Sequence, residues 1–246
     1  MELNKNEFIS ELNAIFKLNG LAKHLDLKRC ELFYDLTVRM LEENEKYNLT
    51  AITDPHKIIL NHYADCVKLA DHIKQGAKII DVGCGAGFPT LPLAIVRPDV
   101  SILAADSTAK RVSYVAETAR LLGLDNVKGE VMRAEDGAKR EELREQFDVA
   151  TARAVAEMRV LCELCLPFVK VGGAMVAMKG KNAEFELSGA KRAIAILGGA
   201  DVKTESVTLT DGITEPLTHP IITVRKKSPT PKTYPRVYSQ ISKKPL

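Results

Sequence analysis

The run Ile79-Ile80-Asp81-Val82 passes directly into Gly83-Cys84-Gly85-Ala86-Gly87-Phe88-Pro89, and an apolar stretch of helical length follows. A short β-branched run, a turn of nearly bare backbone and a helix specify a strand-turn-helix unit. Glycines alternate through the turn because side chains there would obstruct both the tight bend and the close approach of a ligand. In an open α/β sheet such a turn sits at the carboxyl end of a strand, the default ligand position of that architecture.

From Lys78 onward the runs KIIDVG, SILAAD, NVKGEVMRA, FDVATARA and GGAMVAMKG alternate with stretches of helical length at about 87–97, 109–122, 135–145 and 156–169. Parallel neighbours need a crossover connection, so the alternation predicts a doubly wound, Rossmann-like α/β domain with helices on both faces. Two further runs, DVKTESVTL and HPIITVRKK, meet at Asp211-Gly212 without a helix between them and predict an antiparallel pair at one sheet edge. Upstream, Phe8, Ile9, Leu12, Ile15 and Phe16, then Leu32, Phe33, Leu36, Met40 and Leu41, recur at helical spacing. Two amphipathic helices are expected there. Tyr47-Asn48-Leu49-Thr50 breaks the second, and Asp54-Pro55 caps a third that carries His62 and Asp65. The chain is thus expected to comprise a helical N-terminal region (1–75), a Rossmann-like core (76–227) and a C-terminal tail (228–246).

Charge is unevenly distributed. Arg225 to Leu246 holds seven Lys/Arg, four prolines and no acid, leaving the remainder at a net charge of −4 against +3 for the whole chain. The proline-interrupted tail, with Tyr234 and Tyr238, fits phosphate contact and base stacking, or else a solvated terminus. If the tail contacts nucleic acid, removing residues 228–246 is expected to weaken that binding while leaving the affinity of a ligand at the glycine turn intact. With 246 residues, 46% hydrophobic and 27% charged, disordered and disulfide-scaffold classes are excluded. No apolar run of ~18 residues occurs and the first residues lack a signal-peptide core, so a cytoplasmic protein without a membrane partner is expected. Cys30, Cys66, Cys84, Cys162 and Cys165 are an odd number in apolar context, which suits reduced core thiols. Cys162-Glu163-Leu164-Cys165 lacks a second pair or nearby histidines, and its helical spacing favours core packing, so no metal site is expected.

The glycine spacing bears on the ligand. A dinucleotide fingerprint puts its third glycine three residues after the second, to seat a pyrophosphate on the helix N-terminus. Here Phe88 holds that place and the glycine comes one residue early, at Gly87. This favours S-adenosyl-L-methionine over a nicotinamide dinucleotide, with a purely structural turn as the remaining alternative. Asp106 and Ser107 end the second strand, 23 residues or more after Gly83, where an acid accepts both ribose hydroxyls in either case. Ala134-Glu135-Asp136 closes the third strand and reads either as an adenine-edge contact or as an acidic N-cap.

Thr151-Ala152-Arg153-Ala154 ends the fourth strand in place of the Asn/Asp-Pro-Pro-aromatic run of exocyclic-amine methylating enzymes or the Pro-Cys of C5-pyrimidine enzymes. Arg153 follows an apolar strand, where an unpaired guanidinium would be costly. It is expected to face a ligand carboxylate, a phosphate or a base acceptor. A nicotinamide oxidoreductase, a non-catalytic RNA-binding module and a small-molecule methyltransferase are the rival functions.

Eight ordered segments then resemble the ribosomal RNA small-subunit methyltransferase G family, also called the glucose-inhibited division B proteins. They are YNLTAITDP (47–55), the His62…Asp65 pair, DVGCGAGFP (81–89), PLAIVRPD (92–99), the set Asp106, Ser107, Lys110 and Arg111, ARAVA (152–156), Met178-Lys179-Gly180 and the terminal YPR…KKPL. The resemblance implies a class I methyltransferase acting with S-adenosylmethionine on N7 of one guanine in the decoding-region loop of 16S ribosomal RNA, free or in the small subunit. By position it implies cofactor contacts at Gly83, Phe88, Ala134, Glu135 and Arg153, to which the turn adds Gly85 and Gly87. His62, Asp65, Lys179 and again Arg153 are substrate-side candidates. Thr90 stands where members usually have glycine, and Glu43 where many have tryptophan.

Overall fold

The computed structural model describes residues 3–246, so Met1 and Glu2 of the expected N-terminal region lie outside the described residues. Seven strands form one sheet: β1 (Lys78–Val82), β2 (Ser101–Asp106), β3 (Val127–Val131), β4 (Phe147–Arg153), β5 (Val169–Met178), β6 (Gly199–Leu209) and β7 (Leu217–Lys226). Their order is β3-β2-β1-β4-β5-β7-β6. The first five pair in parallel, and β7 runs antiparallel to both β5 and β6. The expected hairpin is present, with β7 inserted and β6 left as the edge. Strand β1 is buried along nearly its whole length, as a central parallel strand covered on both faces must be. The chain winds one way from β1 to β3 and the other way from β4, which opens a crevice at the carboxyl ends of β1 and β4.

Helices cover both faces: α1 (Lys5–Leu18), α2 (Leu27–Tyr47), α3 (Pro55–Ile58), α4 (Asp65–Val67), α5 (Thr90–Val96), α6 (Ala109–Leu121), α7 (Ala134–Gly137), α8 (Met158–Cys165), α9 (Ala183–Ile196) and α10 (Tyr238–Lys243). Asn4 caps α1, Asp26 caps α2, and Asp54 accepts from the Lys57 N–H at the start of α3. Asn48 ends α2 in the left-handed region at φ 48°. Between α3 and α4 the chain widens into a π-helical turn, Ile59–Ala64, so the third helix is continuous but irregular. Phe8, Leu12, Phe16, Phe33, Leu36 and Tyr63 share one apolar cluster with Ile79, Leu91 and Ile102 on one sheet face. Among the described residues no helix is long and apolar enough to cross a membrane.

Three expectations are corrected. The helix placed at 135–145 is only the four-residue α7. Beyond it Arg140 pairs with Glu130 and Glu142, and Glu145 turns left-handed at φ 54°. Helix α9 went unassigned because its buried face includes Ala183, Ala190 and Ala193, which a search for large apolar residues passes over. The C-terminal segment is neither free nor coreless. Ile241 is fully buried, and Arg144 donates to the carbonyls of Thr230 (2.8 Å), Pro231 (3.2 Å) and Tyr234 (2.9 Å). Lys226 is likewise buried, donating to the Leu166 carbonyl at 2.8 Å and to Thr230.

Asn19 ties the end of α1 to the β6–β7 connection. Its Nδ2 donates to the carbonyls of Ile15 (2.7 Å) and Thr210 (2.8 Å), while Oδ1 accepts from the Thr210 N–H at 2.9 Å. At 7% exposure, these groups have little recourse to water. Asn19→Ala is expected to lower stability by ~1–3 kcal/mol, because it leaves buried backbone groups unpaired. Urea unfolding measures this, and a change within a few tenths would show that the connection is held by other means.

Candidate functional site

The glycine turn bends at once toward β2: the N–H groups of Gly83 (2.8 Å) and Cys84 (3.0 Å) both donate to the Ala105 carbonyl. Gly83 has φ +78°, and a Cβ there would lie 2.8 Å from Val155 Cγ2. Glycine is therefore required twice over, by conformation and by the loop that presses on it. Gly87, at φ +87°, is pressed in the same way against Leu91.

Asp106, at the end of β2, faces this turn. Its Oδ2 accepts from the Gly85 N–H (3.1 Å) and Oδ1 from the Thr108 N–H (2.8 Å), with the Arg111 guanidinium 3.7 Å away. Each oxygen keeps a further lone pair for a ligand hydroxyl. Beneath the turn, buried Asp81 accepts from Thr90 Oγ1 (2.6 Å) and Thr151 Oγ1 (3.2 Å), and burial pushes its carboxyl up to about 6.

A cleft of about 440 Å³ opens above these groups, within the range of small-molecule sites. Its walls are Gly83, Gly85 and Ala86 from the turn, Asp106 and Ser107 from β2, Met132 to Glu135 after β3, and Arg153 to Ala156 after β4. Ala134 and Glu135 line it from the first turn of α7. The capping position itself is Arg133, which makes no side-chain cap bond, so an acidic N-cap is not present. Gly87 and Phe88 do not line the cleft.

Phe88 turns the other way and stacks on His62, the ring centroids 4.3 Å apart and the planes at 24°. The imidazole Nε2 lies 3.1 Å from Thr50 Oγ1, and Arg153 Nη2 lies 3.2 Å from Nδ1. Arg153 also donates to the Asn61 carbonyl at 2.8 Å and to Cys66 Sγ at 3.4 Å, and sits 3.5 Å from Asp65 Oδ2. His219 Nε2 approaches the other Asp65 oxygen to 2.5 Å, out of line for a hydrogen bond. Arg153 thus lines the cleft while its Nη1 and Nη2 bond to residues 61–66, and among the described residues no hydrogen bond engages its Nε. Burial and the adjacent Arg153 push His62 down to about 4, so its ring is neutral at pH 7.

His62, Asp65 and Arg153 are thus brought together, and Lys179 stands apart. Its Nζ donates to the Ala156 carbonyl at 2.7 Å and pairs with Glu186 at 2.6 Å, while Glu186 accepts from the Met158 N–H at 3.0 Å. The wall 153–157 is consequently held at one end by Arg153 and at the other by Lys179. Cys162 and Cys165 are fully buried in the core, their thiols raised by burial. Leu49 and Tyr238 also line the cleft, although sequence reasoning did not place them there. Leu49 lies in the break after α2; no local signal brings in Tyr238, because its position depends on pairing between residues far apart in the chain.

The family model described as rRNA small subunit methyltransferase G matches residues 29–213. A ribosomal RNA small subunit methyltransferase G from Clostridium perfringens (strain 13 / Type A) is 48% identical over 217 residues, covering 87% of this chain and 88% of the relative. One from Lactobacillus helveticus is 41% identical over 248 residues, covering 99% and 100%. Among solved structures, a SAM-dependent O-methyltransferase from Thermotoga maritima aligns with a TM-score of 0.51 at 17% identity, covering 77% of this chain and 71% of that one. M. jannaschii TYW2 in complex with AdoMet aligns with a TM-score of 0.52 at 16% identity, covering 67% and 75%. These two likenesses establish the fold.

The depressed His62 value sets a pH signature. Below the ordinary value near 6.5 the unfolded chain takes up a proton that the folded chain refuses until about 4. Stability from this residue is therefore complete above 6.5 and lost as pH falls toward 4. His62→Asn is expected to be less stable than the parent at pH 7.5, with the gap narrowing between pH 6.5 and 4.5. Urea midpoints for both proteins across that range check this, and a gap independent of pH would mean that His62 is not held neutral.

Proposed function

The chain belongs to the rRNA small subunit methyltransferase G family, and on that footing we propose that it methylates N7 of a single guanine in 16S ribosomal RNA, using S-adenosyl-L-methionine. The observation that carries the cofactor assignment is the turn itself. A Cβ at Gly83 would intrude between the turn and Val155, Asp106 keeps free lone pairs at the mouth, and Glu135 adds a second buried carboxylate. A pyrophosphate finds poor support here. The N–H groups of Gly87 and Leu91 are already taken by the carbonyls of Cys84 and Gly87, each at 2.8 Å, and Pro89 has none to give.

Gly83, Gly85, Asp106, Ser107, Ala134 and Glu135 would hold the cofactor, with Asp106 receiving the ribose hydroxyls. When bound, the cofactor supplies an electrophilic sulfonium methyl. Guanine N7 is a lone-pair acceptor on the Hoogsteen edge, so no proton need be removed from it. The chain's task is then to orient and exclude water, and proximity alone can supply ~7–11 kcal/mol. Arg153, His62 and Asp65 serve as positioning residues that brace one end of the cleft wall, and Lys179 braces the other. Gly87 and Phe88 act from behind the turn, by packing on Leu91 and His62.

For the RNA, exposed Lys110, Arg111 and Arg133 beside the cleft suit phosphate contact, as do Lys243 at the end of α10 and Lys244 just after it. These two lysines replace the whole tail as the test of that idea. Deleting 228–246 would also strip Arg236 from Glu163 and Tyr238 from the cleft. Lys243→Ala with Lys244→Ala is expected to lower the salt slope of RNA binding by roughly 1.4, at about 0.7 per lost single-strand phosphate contact, with S-adenosylhomocysteine affinity unchanged. An unaltered slope would remove these lysines from the interface.

The activity is tested by mass spectrometry of 16S rRNA from a strain lacking the gene. One N7-methylguanine is expected to disappear, to return with the gene, and to stay absent with the Asp106→Ala variant. That variant should bind S-adenosylhomocysteine about 10- to 100-fold more weakly, the loss for hydrogen bonds to a charged group. An unchanged methylation pattern in the deletion strain would refute the assignment.

A further inference from the structure

Arg236 returns the C-terminal segment to the body of the protein. Its backbone N–H (2.8 Å) and Nε (2.9 Å) donate to Glu163 Oε1, and Nη2 donates to Oε2 at 2.6 Å. Glu163 on α8 is 0% exposed, so this pairing is what keeps a buried carboxylate from standing alone. The next residue of α8, Leu164, lines the cleft. Two residues beyond Arg236, Tyr238 opens α10 and lines the same cleft. Ile241, one helical turn further on, is fully buried in the cluster that holds Leu164 and Phe168, which orients α10.

The part of the cleft that Tyr238 reaches follows from Phe168. Phe168 Cζ lies 3.4 Å from where a Cβ on Gly137 would be, so this ring packs under α7, whose Ala134 and Glu135 line the cleft. Met132, Ala134, Leu164, Phe168 and Tyr238 therefore gather an apolar end at the β3 side. The Gly83–Val155 contact belongs to β1 and β4, and the β3 and β4 ends are three strand spacings apart, ~14 Å. Asp106 ends β2, between the two sides, and Val155 presses on Gly83 at one of them, so the base of a ribose held at Asp106 would find its apolar surface on the β3 side. Tyr238 is 44% exposed, an aromatic ring with surface to offer a ligand.

We infer that Tyr238 is a wall of the adenine end of the cleft, a purine-contacting residue supplied by the C-terminal segment and positioned by the Arg236–Glu163 pair. The inference rests on the cofactor reading above. It also reassigns Tyr238 from contact with RNA bases to contact with the cofactor's base, and it makes the basic segment part of both binding surfaces.

Calorimetry on the full chain tests this with two ligands: S-adenosylhomocysteine, and 5′-methylthioadenosine, which keeps the purine and ribose but lacks the amino-acid end. Tyr238→Ala is expected to weaken both by the same factor, roughly tenfold, as for loss of one base–aromatic stack. Tyr238→Phe keeps the affinity, and Gln240→Ala, exposed on the same helix, leaves it unchanged. Glu163→Gln weakens both ligands as well, and adding it to Tyr238→Ala produces no further loss, because the pair acts through the ring. Equal affinity of parent and Tyr238→Ala would overturn the inference while leaving the cofactor reading in place. So would a loss confined to S-adenosylhomocysteine, which would put the ring at the amino-acid end. No binding of either ligand by the parent would overturn the cofactor reading and the inference together.

Discussion

Val155 rests on the bare backbone of Gly83, and the site depends on that contact. It joins the two loops that diverge at the switch point of the sheet, the turn after β1 and the wall after β4. Neither loop is stiff by itself: one is glycine-rich, and the other passes through a left-handed residue, Ala154 at φ 55°. Rigidity comes from outside. Arg153 fastens the wall to the π-helical turn of the N-terminal helices, Lys179 fastens it to β5 and α9, and Asp81 supports the floor through two hydroxyl donors. Thr90 is one of those donors. Where a glycine would offer Asp81 only its backbone N–H, this chain adds a hydroxyl at 2.6 Å.

Local pattern was enough to read the sheet. Strands β1 to β5 and their crossovers follow from alternating β-rich runs and helical stretches, and Asp106, Ser107, Ala134 and Glu135 reach the cleft because each sits where a parallel strand ends. What escaped was non-local or compositional. Nothing in FDVATARAV says that Arg153 will bond to residues 61–66, since the partner surface exists only once the third helix has widened into a π-helical turn. Small residues hid α9. The shortness of α7 is not legible because the pattern over 135–145 stays helical, while Arg140 and Arg144 take partners both within it and outside it, at Glu130 and Thr230.

The C-terminal segment shows how composition misleads. Seven cations without an acid read as a solvated, nucleic-acid-binding tail. Yet the partners of Arg236 and Lys226 lie on other elements, at Glu163 on α8 and Glu145 before β4. A buried carboxylate missing its partner costs several kcal/mol, which makes docking of the segment a condition of stability rather than an option. Charge counting along the chain cannot separate a cation that will be spent in this way from Lys243 and Lys244, which stay exposed.

The titratable groups around the cleft also bear on the kind of chemistry it suits. His62 is held neutral with both ring nitrogens engaged, and Asp81 is sealed under the turn, raised to about 6 with its oxygens occupied by threonine hydroxyls. Neither is presented to a ligand as a base. For an acceptor that loses no proton that arrangement is a fit, because no proton transfer is asked of either group. The same groups are better understood as mechanical. Arg153 and His62 draw the N-terminal helices into the wall, Arg236 and Glu163 draw in the C-terminus, and the cleft forms only where these meet the central sheet. A disturbance at either end of the chain is therefore expressed at the cofactor, through loops that have no stiffness of their own.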